Sequence, residues 1–243
     1  PAGDVISKDF TIFNGENERI DHGMDIRRLK RKLYKDNRVG ASLYVDEDGP
    51  LIINGIINSQ MKIEPYQQEK RNIDGTTAHR VTEISSSESV RINDGVIQPV
   101  FKESLNIIKQ SLGEDCGKIE TALILDSKFI ESFNNDSELT QYLFNIMNKV
   151  QMYYDLLNFD LKVVLIGVIK LTKENETTAA PYIKNSLLPN YSEYVDVKKL
   201  AEKMTYHYCK PKISILNQAD GILFISGRPF GKEIDGNLES MNH

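Results

Sequence analysis

The pattern of hydrophobic and polar positions changes character near residue 116. Upstream of that point, residues 1–84 contain short alternating or apolar runs that are broken by turn residues, a pattern typical of β-strands. The clearest runs lie at residues 10–13, 41–45 and 51–57. A polar, serine-rich stretch at residues 85–94 indicates a linker, and residues 100–112 have a short helical pattern. We therefore predict a β-rich region over residues 1–116.

From residue 117 the pattern alternates between strands and helices. Residues 119–125 and 161–171 are almost continuously apolar, as buried parallel strands are. Between them, apolar residues recur every three or four positions from Leu139 to Leu157, which predicts one long amphipathic helix. We expect Asp136 or Ser137 to cap its first turn.

The rest of the chain continues that alternation. After a long loop, a second helix is predicted over residues 197–208 and a third strand over residues 222–226, whereas residues 229–243 are polar and are interpreted as an unfinished end. The order strand–helix–strand–helix–strand predicts a parallel α/β layer with right-handed crossovers. The expected fold class is thus α/β, mixed with a β-rich N-terminal part.

Composition narrows the possible functions only by exclusion. The 243 residues carry a net charge of −5, so we do not expect a nucleic-acid partner. No apolar run reaches the roughly 20 residues of a membrane helix, so we expect no membrane partner. The chain begins with Pro1 rather than Met, and we interpret it as processed or trimmed.

Motifs for catalysis are missing from the sequence. It contains no phosphate-binding GxGxxG or GxxxxGK[ST], and no GxSxG nucleophile turn. The four histidines are isolated, and none begins the HExxH of a zinc protease; they are His22, His79, His207 and His243. The acidic turn at residues 46–48 lacks EF-hand spacing, which leaves a weak calcium site or a solvated turn as its interpretations.

Two kinds of local signal are compatible with secretion. Glycosylation sequons begin at Asn135, Asn175 and Asn190. In addition, residues 28–31 have the Arg-x-Lys-Arg form that secretory convertases cut, which makes Arg28, Lys30 and Arg31 a candidate processing site. The alternative for this basic run is a solvated surface. We expect the protein to be secreted.

Four segments in order carry a family resemblance. Residues 118–126 (KIETALILD), 142–154 (YLFNIMNKVQMYY), 158–167 (NFDLKVVLIG) and 219–228 (ADGILFISGR) resemble the first strand, first long helix, second strand and third strand of reprolysin (adamalysin-type) zinc metalloproteinases. Residues 49–55, 63–65 and 75–79 are similar to the end of the propeptide in arthropod venom and salivary members.

The resemblance implies a two-part organisation. Residues 1–116 correspond to a β-rich propeptide, and residues 117–243 to a truncated metalloproteinase domain with a metzincin-like upper subdomain of parallel strands and crossover helices. The family cofactor is zinc, and its reaction is peptide-bond hydrolysis in protein substrates. Glu120 matches a family residue that helps to hold a structural calcium ion.

Departures from the family pattern leave several alternatives. The family motif HExxHxxGxxH and its Met-turn are missing, so we expect these 243 residues to be inactive on their own. Three alternatives follow. These residues are a piece of an active enzyme, or they are a non-catalytic venom or salivary homologue that binds host proteins, or they are an unrelated interaction module. For Cys116 the alternatives are a latency switch with Gly117 and, in a secreted protein, a disulfide with Cys209.

Overall fold

The computed structural model describes residues 2–21, 23–66, 77–84, 117–156, 161–208 and 214–240. The strands within these ranges are β1 (Ile6–Asn14), β2 (Arg19–Ile20), β3 (Leu33–Asp36), β4 (Ala41–Asp46), β5 (Ile52–Asn58), β6 (Met61–Pro65), β7 (His79–Glu83), β8 (Gly117–Leu125), β9 (Leu161–Lys170), β10 (Val195–Asp196), β11 (Gly221–Ile225), β12 (Phe230–Ile234) and β13 (Asn237–Ser240). The helices are α1 (Ile26–Arg31), α2 (Ser127–Ile130), α3 (Asp136–Leu156), α4 (Lys173–Ala179), α5 (Pro181–Lys184), α6 (Val197–Tyr208) and α7 (Ser214–Gln218).

The predicted parallel layer is confirmed. Strand β8 lies between β9 and β11 and pairs with both in parallel, with Ile124 opposite Ile169 on one side and Phe224 on the other. Helix α3 makes the crossover from β8 to β9. The coarse α/β class is therefore correct, because the buried apolar strands and the long amphipathic helix occupy the predicted stretches.

The N-terminal strand β1 belongs to the same sheet, which the sequence did not predict. It pairs in parallel with β9, with Ile12 opposite Val168, and β2 pairs antiparallel on its outer side. Within the described ranges the strand order is β11-β8-β9-β1-β2. One strand from the N-terminal region therefore extends the sheet of the C-terminal region.

The mixed sheet is covered on both faces. One core cluster joins β1 and the odd-numbered positions of β8, such as Leu123 and Leu125, to Leu143 and Phe144 of α3. The other cluster joins Ala122 and Ile124 to helices α5, α6 and α7. Successive residues of a strand point to opposite faces of the sheet. A strand with a continuous run of apolar residues therefore contributes side chains to both core clusters.

A second sheet packs against the outer side of α3. Strands β3 to β7 form an antiparallel meander in sequence order. Asn148 on α3 donates from Nδ2 to the Tyr34 carbonyl at 2.8 Å and to Ser42 Oγ at 3.0 Å. At the end of α3, Asp155 accepts a hydrogen bond from Lys35 Nζ at 2.6 Å. These contacts attach the meander to the α/β layer.

Two local predictions were wrong, and one hairpin was not predicted. The predicted long loop contains helices α4 and α5, where Thr172 and Asn175 form a capping box that starts α4. The polar stretch after residue 229 contains the β12–β13 hairpin, for which no element was predicted. The cap of α3 is Asn135, whose Oδ1 accepts the Glu138 amide at 2.9 Å, rather than Asp136 or Ser137. The predicted linker at 85–94 and helix at 100–112 lie outside the described residues.

Candidate functional site

A buried polar cluster lies at the carboxyl ends of β8 and β11, the edge of a parallel sheet where ligands often bind. Asp126 follows β8 and is fully buried. Its Oδ1 accepts the Phe129 amide at 2.7 Å, which caps α2, and the Gly227 amide at 3.0 Å. The hydroxyl of Ser226 donates to its other oxygen.

Arg228 closes this cluster by bridging two carboxylates. Its guanidinium donates to Asp126 Oδ2 and to Glu176 Oε1, both at 2.6 Å. Glu176, on α4, also accepts the Ser127 amide at 2.8 Å. Burial by itself lowers the pKa of Arg228, but hydrogen bonds and charge from Glu176 and Asp126 outweigh it, and the net pKa is raised. Since every carboxylate is engaged, the cluster ties α2, α4 and β11 together rather than offering a free acid or base.

Glu120, the predicted calcium residue, lies at the opposite end of the sheet. Its backbone amide donates to Asp220 Oδ2 at 2.8 Å, and the Asp220 amide donates to the Glu120 carbonyl at 2.7 Å. The Glu120 carboxylate pairs with Lys118. The structure therefore places a second carboxylate, Asp220, at this edge. Sequence analysis missed Asp220, although its position just before the third strand was a usable signal.

The histidines in the described ranges have structural contacts. His79 accepts the Ile53 amide on Nε2 at 2.8 Å, and His207 packs edge-on against Tyr208 with ring centroids 4.8 Å apart. Among the described residues no group of three or more His, Cys, Asp or Glu side chains has metal-binding geometry. These residues therefore do not fit a zinc site. Four residues considered in the sequence analysis lie outside the described ranges: His22, His243, Cys116 and Cys209. The latency switch and the disulfide, which are the two interpretations of Cys116, therefore both stay predictions.

The candidate processing site lies on helix α1. Arg28 donates from Nε to Asp48 at 2.7 Å, and Lys30 donates to the Ile6 carbonyl at 2.5 Å. Arg31 is exposed, whereas Leu29 between them is buried. Because proteases bind extended substrates, cleavage here requires α1 to unfold locally.

The acidic turn after β4 is neutralised by basic side chains. Lys32 pairs with both Asp46 and Asp48. Hydrogen bonds from Arg28 and then Lys32 hold the pKa of Asp48 well below its usual range. Of the two interpretations of this turn, the ion pairs favour the solvated turn over the weak calcium site.

The three sequons differ in accessibility. Asn135 is exposed, and its Oδ1 caps α3. Asn175 is half-buried within the capping box of α4. The Nδ2 atom of Asn190, to which a glycan would attach, donates to Glu233 at 2.6 Å. Asn135 is therefore the sequon best presented for modification.

Known proteins similar to this chain are venom metalloproteinases. The chain is 42% identical over 231 residues, 95% of its length, to the venom metalloproteinase BumaMPs1 of Olivierus martensii. It is 31% identical over 231 residues to the venom metalloproteinase antarease TserMP_A of Tityus serrulatus. It is also 30% identical over 192 residues to a metalloproteinase of Tityus obscurus. These scorpion homologues support a venom metalloproteinase family.

The match covers 95% of this chain for BumaMPs1 and TserMP_A and 78% for the Tityus obscurus protein, but only part of each relative. The chain spans 57% of BumaMPs1, 56% of TserMP_A and 51% of the Tityus obscurus protein. No protein-family model matches the chain. No solved structure matches it either. Across the described residues, no helix has the length and apolarity that crossing a membrane requires.

Proposed function

We propose that this chain supplies the propeptide and the first part of the catalytic domain of a secreted, reprolysin-like zinc endopeptidase that cleaves protein substrates. Residues 1–116 act as the propeptide, and residues 117–243 form the upper subdomain with its metzincin-like parallel strands. The observation that carries the proposal is the parallel order β11-β8-β9 with α3 as crossover, in the segments that resemble the family. The venom metalloproteinase relatives, which align over 95% of the chain, support it.

Zinc chemistry in this proposal depends on residues outside the 243. The sequence has no HExxH, and the described residues contain no fitting ligand group. The extra length of the relatives is compatible with ligands located there. We therefore assign no catalytic role to a residue of this chain and derive no catalytic step from it.

The same proposal includes a structural calcium site at Glu120. Carboxylate oxygens are preferred calcium ligands, and Asp220, which directly precedes β11, is hydrogen-bonded to the backbone of Glu120 on the neighbouring strand β8. Calcium is expected to raise the thermal midpoint of the native protein, because a ligand that binds only the folded state stabilises it. The Glu120→Gln variant should lose that shift, while Glu64→Gln, on strand β6, should keep it.

The direct test is the intact mass of the native protein after deglycosylation, combined with its zinc content and its peptidase activity. The proposal expects a mass well above 27.7 kDa, bound zinc, and cleavage that a chelator abolishes. A native protein close to 27.7 kDa without zinc would contradict it. The second candidate function is that of a non-catalytic homologue that binds host proteins, and the missing HExxH favours it. A native protein close to 27.7 kDa without zinc would support this second candidate.

The covalent modifications are proposals that one peptide map can test. We expect a glycan on Asn135 before Asn175 or Asn190, because Asn135 is exposed and the amide nitrogen of Asn190 is already engaged. A non-reducing digest is expected to contain a linked Cys116–Cys209 peptide. Detection of both cysteines as free thiols would reject the disulfide.

A further inference from the structure

Residues 2–20, which we call the N-terminal strand segment, lie in the region assigned to the propeptide but are packed into the α/β layer. We propose that this segment is a resident strand of the β9 edge, which stays bound after the chain is cut between β2 and β4. The surface that binds this segment is the edge of β9 together with the adjoining core. The segment that lies on this surface is the chain's own first strand, β1. This inference assumes nothing about zinc or catalysis.

Backbone pairing with β9 is the first support. Residues 11–14 of β1 pair in unbroken parallel register with residues 167–170, and Ile6 pairs with Leu165 beyond a register shift. Added strands bind through such main-chain hydrogen bonds, which need no covalent link between the partners. Without the segment, β9 would present an unpaired edge along a strand of the buried core.

Side-chain burial is the second support. Val5, Ile6, Phe10 and Ile12 are each no more than 4% exposed. The Phe10 ring meets Phe144 of α3 edge-on, with centroids 5.1 Å apart. These side chains are part of the same core cluster as β8 and α3, so the segment anchors itself through apolar contacts on one side of the sheet.

The third support is that β1 and the residues on either side of it fit closely against their neighbours. A Cβ on Gly167 of β9 would lie 2.8 Å from the Thr11 carbonyl oxygen, so the absence of a side chain there lets β1 approach. A Cβ on Gly15, just after β1, would lie 2.6 Å from the Ala179 side chain of α4. Before β1, Asp4 pairs with Lys162 at 2.7 Å.

The link from this segment to the next element is exposed. Gly23 has a positive φ of 61°, and beyond its two chain neighbours no atom lies within 4 Å of the position of its Cβ. A recognition sequence for a site-specific protease inserted after Gly23 would therefore be accessible without disturbing the core. The same is true of Gly40 in the β3–β4 turn, which has a φ of 70°.

The test is to cut such an insertion variant and analyse it by size exclusion chromatography. After cleavage at Gly23, the N-terminal fragment is expected to co-elute with the remainder in equal amounts in native buffer, and to separate in guanidinium chloride. Separation in native buffer would overturn the proposal. Circular dichroism before cleavage establishes that the variant is folded. If it is not, the Gly40 insertion replaces it. That fragment also carries α1 and β3, so the Phe10→Asp substitution described below must then weaken its retention for the proposal to stand.

A matched control uses the same insertion after Gly236 in the β12–β13 turn. Its fragment carries only β13, which has four residues and none that is buried. That fragment is expected to be released in native buffer, which excludes retention by nonspecific adhesion. Retention of both fragments would count against a specific strand site.

Two substitutions on β1 test which of its side chains hold the cleaved fragment to the rest of the protein. In the protein cut at Gly23, Phe10→Asp is expected to raise the dissociation constant of the fragment about tenfold or more, because it places a charge in the core. Lys8→Asp changes an exposed position on the same strand and should leave retention unchanged. Equal effects of the two substitutions would refute the assignment of β1 to the core.

Discussion

The two five-stranded sheets in the described part of the chain differ in how their strands are buried. In β9 seven consecutive residues are buried, because helices or the N-terminal region cover both faces. In the meander, buried side chains are found in β3 and β4 beside α3, while the described β6 and β7 have none and Val81 is 54% exposed. Burial thus follows the neighbours of a strand and not the half of the chain to which it belongs.

Strand β1 makes this point most clearly. Of its nine residues only Lys8 and Asp9 are exposed, and it lies in the same N-terminal region as the meander. Nevertheless its buried residues belong to the core of the parallel layer. The boundary predicted at residue 116 marks a change in the sequence pattern. Strand β1 lies before that boundary but packs against β9 and α3, which lie after it.

The largest expected effect comes from truncating the β1 anchor. Phe10→Ala should lower the free energy of unfolding by about 3–5 kcal/mol, because it removes a buried aromatic ring and leaves a cavity beside Phe144. Val81→Ala, on the outer strand of the meander, should change it by less than about 0.5 kcal/mol. Urea unfolding of both variants measures the difference, and similar losses would contradict the contrast between the two sheets.

The next effect concerns the polar cluster at the end of the parallel strands. Arg228→Met should cost about 2 kcal/mol, because it leaves the buried carboxylate of Asp126 without its counter-charge while three other donors remain. Arg38→Met removes an ion pair made by a side chain that is 89% exposed, and it should leave stability unchanged. Thermal and urea denaturation of the two variants would reveal whether the cluster stabilises the layer.

Two glycines test the close approach of β1. Gly167→Ala should destabilise the protein by about 1–3 kcal/mol, because the new methyl group would meet Thr11 and Ile215. Gly221→Ala lies on the edge strand β11, where a Cβ would have nothing within 4 Å beyond its chain neighbours, and it should be tolerated. If Gly167→Ala were as stable as Gly221→Ala, the pairing of β1 with β9 would be looser than the structure indicates.

The smallest effect is a pH dependence at the junction of the two sheets. Burial raises the pKa of Asp155, but hydrogen bonds from Lys35, Gln151 and Asn37 outweigh it, so the pKa lies below its ordinary value of 3.8. The ionised group therefore adds stability above pH 3.8, and this stability is lost as the pH falls through the lower folded-state pKa.

The corresponding variant is Asp155→Asn. It should be less stable than the native sequence at pH 7 by roughly 0.5–1 kcal/mol, and equally stable once Asp155 is protonated in both states. Urea midpoints measured from pH 7 down to pH 2 provide the test. A difference that persists at the acid end would mean that shape, and not charge, holds α3 to the meander.

Local periodicity predicted the elements of the parallel layer correctly. Strands β8, β9 and β11 and helices α3 and α6 were visible because continuous apolar runs and three-to-four-residue spacing are properties of single segments. The partner of β1 was not visible, because the residues of β1 and β9 that pair are 156 to 159 positions apart in the sequence. Hairpin β12–β13 was missed because its residues are polar and partly exposed.

The candidate site was predictable only in part. Glu120 was identified through the resemblance, but its neighbour Asp220 is brought there by strand pairing. The cluster of Asp126, Glu176 and Arg228 joins residues that are 50 and 52 positions apart, and no local motif marks it. The resemblance to the metalloproteinases was the strongest functional signal, because it combined four weak segments in order.

Hydrogen exchange of the backbone amides in β1 tests the central claim, that the first strand belongs to the core of the α/β layer. The account predicts that the amides of Ile12 and Phe13 exchange as slowly as those of β8, at the rate of global unfolding. Exchange as fast as that of β7 would contradict it and would assign β1 to the loosely packed part of the chain.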